Sequence, residues 1–264
     1  MRPKAGEANM KSNIKLPAAS AILFSMLLAN CVQTSPFAKS PMSPSDSTAG
    51  IAKAWPGLIQ EGLEHVTGRI ADLEKRPPIR EGALFLGDSL TEGAPLATMF
   101  SGTTVANYGA GWDTTDGVLM RLDQVMRNRP DLLFLLIGIN DLSYDHSVQH
   151  ITQNIEEIVS RLQINLPGTD VYVISILPAF PDWTASIRDI NTHLSIRAVD
   201  QGYTFIDLNS ALRSNTGSLR EEFTTDGLHL NEMGYGIWRQ VLGDCVVKGC
   251  NTVVPSAANE KPPT

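Results

Sequence analysis

The sequence predicts an α/β domain built on a five-stranded parallel sheet, and three observations carry that reading. Short apolar runs alternate with longer segments whose apolar residues recur at helical spacing. Several runs close on small or polar turns, at Gly87-Asp88-Ser89, at Gly109 and at Gly138-Ile139-Asn140. The run Leu132–Ile137 is apolar at every position, as a strand covered by helices on both sides must be. Such alternation implies right-handed crossovers between parallel strands. The 264 residues suffice for one domain with a sizeable core, and there is no internal repeat or second block of composition.

The two ends read differently from the middle. Arg2, Lys4, Lys11 and Lys15 make a basic start, and Leu16–Ala29 is apolar but too short to span a bilayer comfortably. Residues 1–31 are therefore expected to be an export signal, with Met10 as an alternative start. Leu28-Ala29-Asn30-Cys31 resembles the lipobox of bacterial lipoproteins, with Asn30 where that motif has a very small residue. This makes Cys31 a candidate for lipidation. It places the protein in the bacterial periplasm or cell envelope, with lipid anchoring as an option. Residues 32–50 are rich in Ser and Pro and read as a flexible tether. The folded domain is expected over 51–250, and 251–264 as a disordered tail.

Within the domain each element has its own signal. Leu58, Ile59, Leu63, Val66, Ile70 and Leu73 share a helical face, which Pro77-Pro78 terminates. Ala83–Leu86 is the first strand, and Leu90-Thr91-Glu92 can open a helix after its turn. Thr103–Asn107 is a second, short strand. Asp113 or Thr114 then caps a helix carrying Val118, Leu119, Leu122, Val125 and Met126. Leu132–Ile137 is the third strand. A helix from about Ser147 to Leu166 carries Val148, Ile151, Ile155, Ile158, Val159 and Leu162. Val171–Ile176 is the fourth strand, followed by a loop to Trp183 and a helix through Ile187, Ile190, Leu194 and Ala198. Tyr203–Ile206 is the fifth strand, and a last helix spans about Asn231 to Leu242.

Charge and cysteine content narrow the chemistry. A net charge of −7 argues against a nucleic-acid partner. Of three cysteines, Cys245 and Cys250 remain once Cys31 is lipidated or removed, and in an oxidising compartment they are expected to form a disulfide. So small a loop constrains the unfolded chain by about 2 kcal/mol in the entropy model. No Cys spacing suggests zinc, and neither a metal nor a cofactor is expected. His65, His146, His150 and His193 read as surface residues.

Ligands of open α/β sheets bind outside the carboxyl ends of the strands. Ser89, Gly109 and Asn140 stand at such ends. Far downstream, Asp226-Gly227-Leu228-His229 supplies a histidine with a carboxylate three residues earlier. A serine hydroxyl is a weak nucleophile until a base takes its proton, and the base works best when a third group fixes its tautomer. Ser89, His229 and Asp226 fit those roles. The backbone amides of Ser89 and Gly109 and the side-chain amide of Asn140 are the candidate oxyanion donors. Each residue also has a structural reading: Asp88 or Ser89 as a helix cap, Gly109 as a turn glycine, Asn140 as a cap, Asp226 as an Asx-turn residue, His229 as a surface residue at a helix start.

Gly87-Asp88-Ser89-Leu90, Gly109, Gly138-Ile139-Asn140-Asp141 and Asp226-Gly227-Leu228-His229 resemble the four signature blocks of the GDSL or SGNH hydrolases, in the family's order and from about Ala83 to Trp238. Asp113–Leu119 and Asp226–Tyr235 resemble the bacterial branch related to platelet-activating-factor acetylhydrolase subunits and lysophospholipase-like esterases, with Gly111-Trp112-Asp113 as a bulkier version of the expected loop. The resemblance implies a flavodoxin-like three-layer α/β/α sandwich and metal-free serine esterase chemistry. It assigns Ser89 as nucleophile, His229 as base, Asp226 as its orienting partner, and Ser89, Gly109 and Asn140 as the oxyanion hole. The G-x-S-x-G elbow of α/β-hydrolases is absent.

Substrate contacts are expected from loops that follow strands. Asp88, Trp112, Tyr144 and Trp183 are the candidates, with Tyr108 and Phe180 as further aromatic residues and Asp207 as a residue at a strand end. Short loops favour an open cleft and short acyl groups; acylated glycans or lysophospholipids are the reachable substrates. An O-acyltransferase using the same acyl-enzyme, or a non-enzymatic envelope binding protein on the same fold, remain as alternatives.

Overall fold

The structure is a computed structural model and describes residues 60–249. The expected leader and tether, Cys31, Cys250 and the tail lie outside the described residues. Five parallel strands run in the order β2-β1-β3-β4-β5: β1 (Ala83–Gly87), β2 (Val105–Gly109), β3 (Leu132–Leu136), β4 (Asp170–Ile174) and β5 (Thr204–Ile206). This is the flavodoxin-like order, in which the chain reverses its direction of progress between β1 and β3.

Ten α-helices are described before, between and after the strands: α1 (Gln60–Glu74), α2 (Ser89–Glu92), α3 (Leu96–Met99), α4 (Thr115–Met120), α5 (Leu122–Met126), α6 (Ile139–Ser143), α7 (Val148–Asn165), α8 (Thr184–Gln201), α9 (Asn209–Leu212) and α10 (Glu232–Lys248). No helix among the described residues is long and apolar enough to cross a membrane. Strand β1 is buried at all five positions and β3 at four of five, so both faces of the sheet are covered. One face carries a row of stacked rings. Phe100, Phe85, Phe134 and Tyr172 lie 5.7, 4.7 and 4.8 Å apart in succession, the last three in matched register on β1, β3 and β4. Each such pair contributes about 0.5–1.5 kcal/mol beyond the burial of its area.

Several boundaries depart from the apolar pattern; β4, expected over Val171–Ile176, runs from Asp170 to Ile174, and three others have a visible cause. Strand β2 starts and ends two residues later than expected. Its polar Asn107 is tolerated because the side-chain amide donates to the carbonyls of Thr91 and Glu92 at 2.7 and 3.2 Å. The helix expected over Val118–Met126 is divided at Arg121, whose backbone leaves helical geometry and whose side chain turns inward. The last helix continues past Leu242 because Cys245 and Val246 are still buried against the core. Cys245 is disulfide-bonded.

Candidate active site

The nucleophile candidate owes its position to the end of β1. Asp88 is fully buried and caps α2 by accepting from the Leu90 amide at 3.0 Å. Ser89 is then the first residue of that helix, and a first-turn amide has no partner within the helix. His229 comes from the segment between a short 3₁₀ turn (Glu221–Phe223) and α10. There Asp226 folds its own turn: Oδ1 accepts from the amides of Leu228 and His229 at 2.9 and 2.7 Å. Its other oxygen lies 2.7 Å from His229 Nδ1, and His229 Nε2 lies 3.0 Å from Ser89 Oγ. With Nδ1–H donating to the carboxylate, the network leaves Nε2 to accept from the Ser89 hydroxyl. Burial opposes ionisation of Asp226, but the His229 side chain and the two amides outweigh it and hold the carboxyl well below the usual range. The carboxylate therefore stays charged beside the imidazole through the acidic range. The segment is anchored on its far side, where Asn231 caps α10 through the Gly234 amide at 3.0 Å. Tyr235, one turn into α10, donates to the carbonyl of Leu90 at 2.9 Å.

Asn140 is half-buried on α6, directly after β3. Its Nδ2 donates to the Asp113 carbonyl at 2.9 Å, which leaves a second N–H on the same nitrogen. Gly109 does not offer the expected oxyanion donor. Its amide donates instead to Asn107 Oδ1 at 2.9 Å. What Gly109 provides is close approach: a Cβ there would lie 2.2 Å from the Glu92 amide nitrogen, so no larger residue lets α2 pack on β2. The Gly111 amide is also engaged, by Glu92 Oε2 at 2.6 Å. Trp112 follows with φ +68°, a left-handed conformation rarely held by a bulky residue. No hydrogen bond is formed by its amide among the described residues.

Beneath the site lie three buried carboxylates. Asp113 pairs with buried Arg121 at 2.7 Å, and the same guanidinium donates to the carbonyls of Gly87 and Tyr108 at 3.2 and 2.9 Å, tying together the ends of β1 and β2. Burial pushes Asp113 up to about 6 in spite of Arg121. Asp141 accepts from the Thr115 amide and hydroxyl at 3.0 and 2.5 Å, and burial raises its pKa as well. Asp88 is pushed up to about 7, by burial first and by Asp113 and Asp141 second, and its Oδ2 has no hydrogen-bond partner.

A carboxyl whose folded pKa exceeds its unfolded value stabilises the fold fully below the unfolded value and loses that contribution as pH rises through the folded one. For Asp88 the window runs from 3.8 to about 7. An Asp88→Asn variant keeps a capping oxygen without the charge. Its Tm should exceed the parent's by more at about pH 8 than at about pH 5, as thermal unfolding at the two pH values would show.

The expected substrate contacts divide. Asp88 is enclosed and cannot touch a substrate, because the turn that exposes Ser89 turns the Asp88 side chain inward. Tyr108 is likewise core, at 2% exposure, with its hydroxyl on Asn128. Trp112 is 46% exposed, and Phe180 is exposed against half-buried Trp183, their rings 5.3 Å apart and edge to face. Tyr144 is half-buried beside His146. Asp207 folds a turn on Ser210. His65 is exposed on Glu92, and His193 is half-buried on Glu156. His146 and His150 are likewise half-buried, held by Asp141 and Asp116. Arg121 and Tyr235 gave no sequence signal for their roles.

Known proteins resemble this chain in sequence and fold. The platelet-activating factor acetylhydrolase IB subunit alpha1 of Rattus norvegicus, and its Homo sapiens counterpart, are each 27% identical over 177 residues, covering 63% of this chain and 74% of theirs. A solved structure from Streptococcus pneumonia, provisionally named a platelet activating factor, is 25% identical with a TM-score of 0.65, covering 77% of this chain and 100% of that one. A GDSL-like lipase from Bacteroides thetaiotaomicron shares the fold, with a TM-score of 0.61 at 21% identity over 72% of this chain and 98% of its own. The model of the GDSL-like Lipase/Acylhydrolase family matches residues 85–237, more than half of the chain, and the chain belongs to that family.

Proposed function

We propose that the protein is an exported serine esterase that hydrolyses short-chain acyl esters, acetyl foremost, of a hydrophilic alcohol. The observation that carries this reading is the hydrogen-bonded series Ser89 Oγ, His229 Nε2, His229 Nδ1 and Asp226 Oδ2, at 3.0 and 2.7 Å. His229 takes the Ser89 proton as Oγ attacks the ester carbonyl. The tetrahedral intermediate collapses when His229 returns that proton to the leaving alkoxide, giving the alcohol and an acyl-serine. Water, deprotonated by the same imidazole, then releases the carboxylic acid and restores Ser89.

The oxyanion donors in this reading are the Ser89 amide, the free N–H of Asn140 Nδ2 and the Trp112 amide. Trp112 replaces Gly109 because the Gly109 amide is engaged, while the Trp112 amide forms no hydrogen bond among the described residues. Asn140→Ala should raise the barrier by about 3 kcal/mol, roughly 10²-fold in kcat, with little change in Tm. An Asn140→Ala enzyme with full kcat would remove Asn140 from the set.

Substrate class rests on the surroundings of the relay. Asp226 and His229 are both exposed, which suits an open site. Beside them lies a groove of about 710 Å³ lined by Phe180, Arg213, Arg220, Glu222 and Gly227 among others. Charges of both signs with one aromatic wall suit a polyol or sugar alcohol better than a hydrocarbon chain. Export rests on the basic start and the apolar stretch before Cys31. The test is hydrolysis of p-nitrophenyl esters from acetate to long acyl chains, with Ser89→Ala alongside. Activity falling with chain length and absent in the variant supports the proposal. A folded protein without Ser89-dependent hydrolysis of any ester would overturn it.

A further inference from the structure

We propose that Asp116, His146 and His150 form a binding site for a first-row divalent transition ion, zinc foremost, separate from the Ser89 relay. Asp116 lies in the first turn of α4 and His150 in the first turn of α7; His146 lies in the loop between α6 and α7. One donor atom of each lies within 4.8 Å of the other two. His150 Nε2 is already 2.7 Å from Asp116 Oδ2, and the His146 and His150 rings meet edge to face at 4.5 Å. Ligand atoms about 2.0–2.2 Å from a tetrahedral zinc ion stand roughly 3.3–3.5 Å from one another, so this pair must separate by about 0.6–0.8 Å and the widest pair close by up to about 1.5 Å.

The surroundings of the three side chains suit the same use except at His150 Nε2, where Asn154 Nδ2, 3.1 Å away, would have to turn aside for an ion. Asp141 Oδ1 lies 3.4 Å from Nδ1 of His146, which leaves Nε2 as the nitrogen for an ion. Asp141 is itself fixed by the Thr115 amide and hydroxyl. A buried carboxylate on the far nitrogen of a ligating histidine sets its tautomer and raises its basicity. Two carboxylates, Asp116 and Asp141, balance the charge of a divalent ion. The side chains are neither sealed nor fully exposed, at 4% for Asp116, 19% for His146 and 33% for His150, so an ion has a route in and few competing waters. Imidazole nitrogens with a carboxylate select this class of ion over calcium or magnesium. Three protein ligands leave at least one position for water.

The ion would join two segments that also carry the oxyanion candidates. Residues 113–116 follow Trp112, and residues 141–150 follow Asn140, whose amide already reaches the Asp113 carbonyl. The metal-free alternative is that two histidine–carboxylate pairs do the joining alone.

The test uses the full chain, treated with a chelator and dialysed, then titrated with Zn²⁺ by calorimetry and with Co²⁺ by visible absorption. One ion per chain is expected, with a Co²⁺ ligand-field band that Zn²⁺ displaces. The band should be lost in His150→Ala and in Asp116→Asn, and retained in His193→Ala, a histidine paired with Glu156 elsewhere. Asp141→Asn should weaken Zn²⁺ binding about 10–100-fold. His150→Gln serves if the alanine variant does not fold. Absence of saturable binding in the parent protein would overturn the proposal, as would a Co²⁺ band unchanged in the folded His150 and Asp116 variants. Neither result depends on esterase activity, so failure here and failure of the Ser89 reading are distinguishable.

Discussion

His229→Ala should lower kcat by about 10⁶-fold, the same loss as Ser89→Ala, and the double variant should lose no more than either alone. The reason is geometric. The hydroxyl has its base 3.0 Å away, and that base is held on its other nitrogen by Asp226 at 2.7 Å. A nucleophile without a base and a base without a nucleophile are equally idle, so their effects do not add. Asp226→Ala should cost less, about 10⁴-fold, because the imidazole remains within reach of Ser89 with its tautomer no longer fixed. Steady-state rates on p-nitrophenyl acetate, with circular dichroism to verify the fold, measure all four. Additive losses in the double variant would show that the two residues do not act as one unit.

The largest effect on stability should follow Arg121→Met, at about 3–5 kcal/mol, or roughly 10 °C in Tm. The substitution leaves the Asp113 carboxyl buried without its cation and removes the donors to the Gly87 and Tyr108 carbonyls. Burial already raises Asp113 to about 6 with Arg121 present. Without the guanidinium the carboxyl should take up a proton more readily still. The stability of the variant relative to the parent should therefore fall as pH rises above about 6, where the parent's Asp113 ionises beside Arg121 and the variant's resists ionisation. Arg121→Met combined with Asp113→Asn should recover much of the loss, since replacing both partners of a buried pair is far less damaging than removing one. Thermal melts at two pH values measure each part. An Arg121→Met melt that matches the parent would mean that the strand ends are held by other means.

How far these features can be read without a structure depends on the kind of information each needs. Periodicity reports burial, so β1, β3 and α7 were legible, most of their apolar residues being buried. Asn107 hid the true extent of β2, because a polar residue whose partners are turn carbonyls has the same letter as one facing water. Arg121 was invisible for the same reason: arginine is mostly exposed, and only its three acceptors explain its burial. Ser89, Asn140 and His229 were legible because each stands at the end of an element the pattern itself marks. Gly109 misled because an amide's direction is a property of the backbone path, not of residue type. Trp112 was read as a bulky loop residue and a candidate substrate contact, not as an amide donor, since nothing local announces a left-handed tryptophan. Asp116 and His150 are brought together from 34 positions apart, and no spacing rule joins them.

Ser89 and His229 are 140 positions apart, and Tyr235 reaches the Leu90 carbonyl across 145. All five strands are complete by Ile206, before either His229 or Tyr235 has entered the chain. The residues up to β5 therefore include every strand and every oxyanion candidate but no base. Contacts of such long range form late, because the loop must close before they repay its entropy. The proposed relay is therefore incomplete in any chain that lacks the segment between β5 and α10, whatever else of the fold it contains.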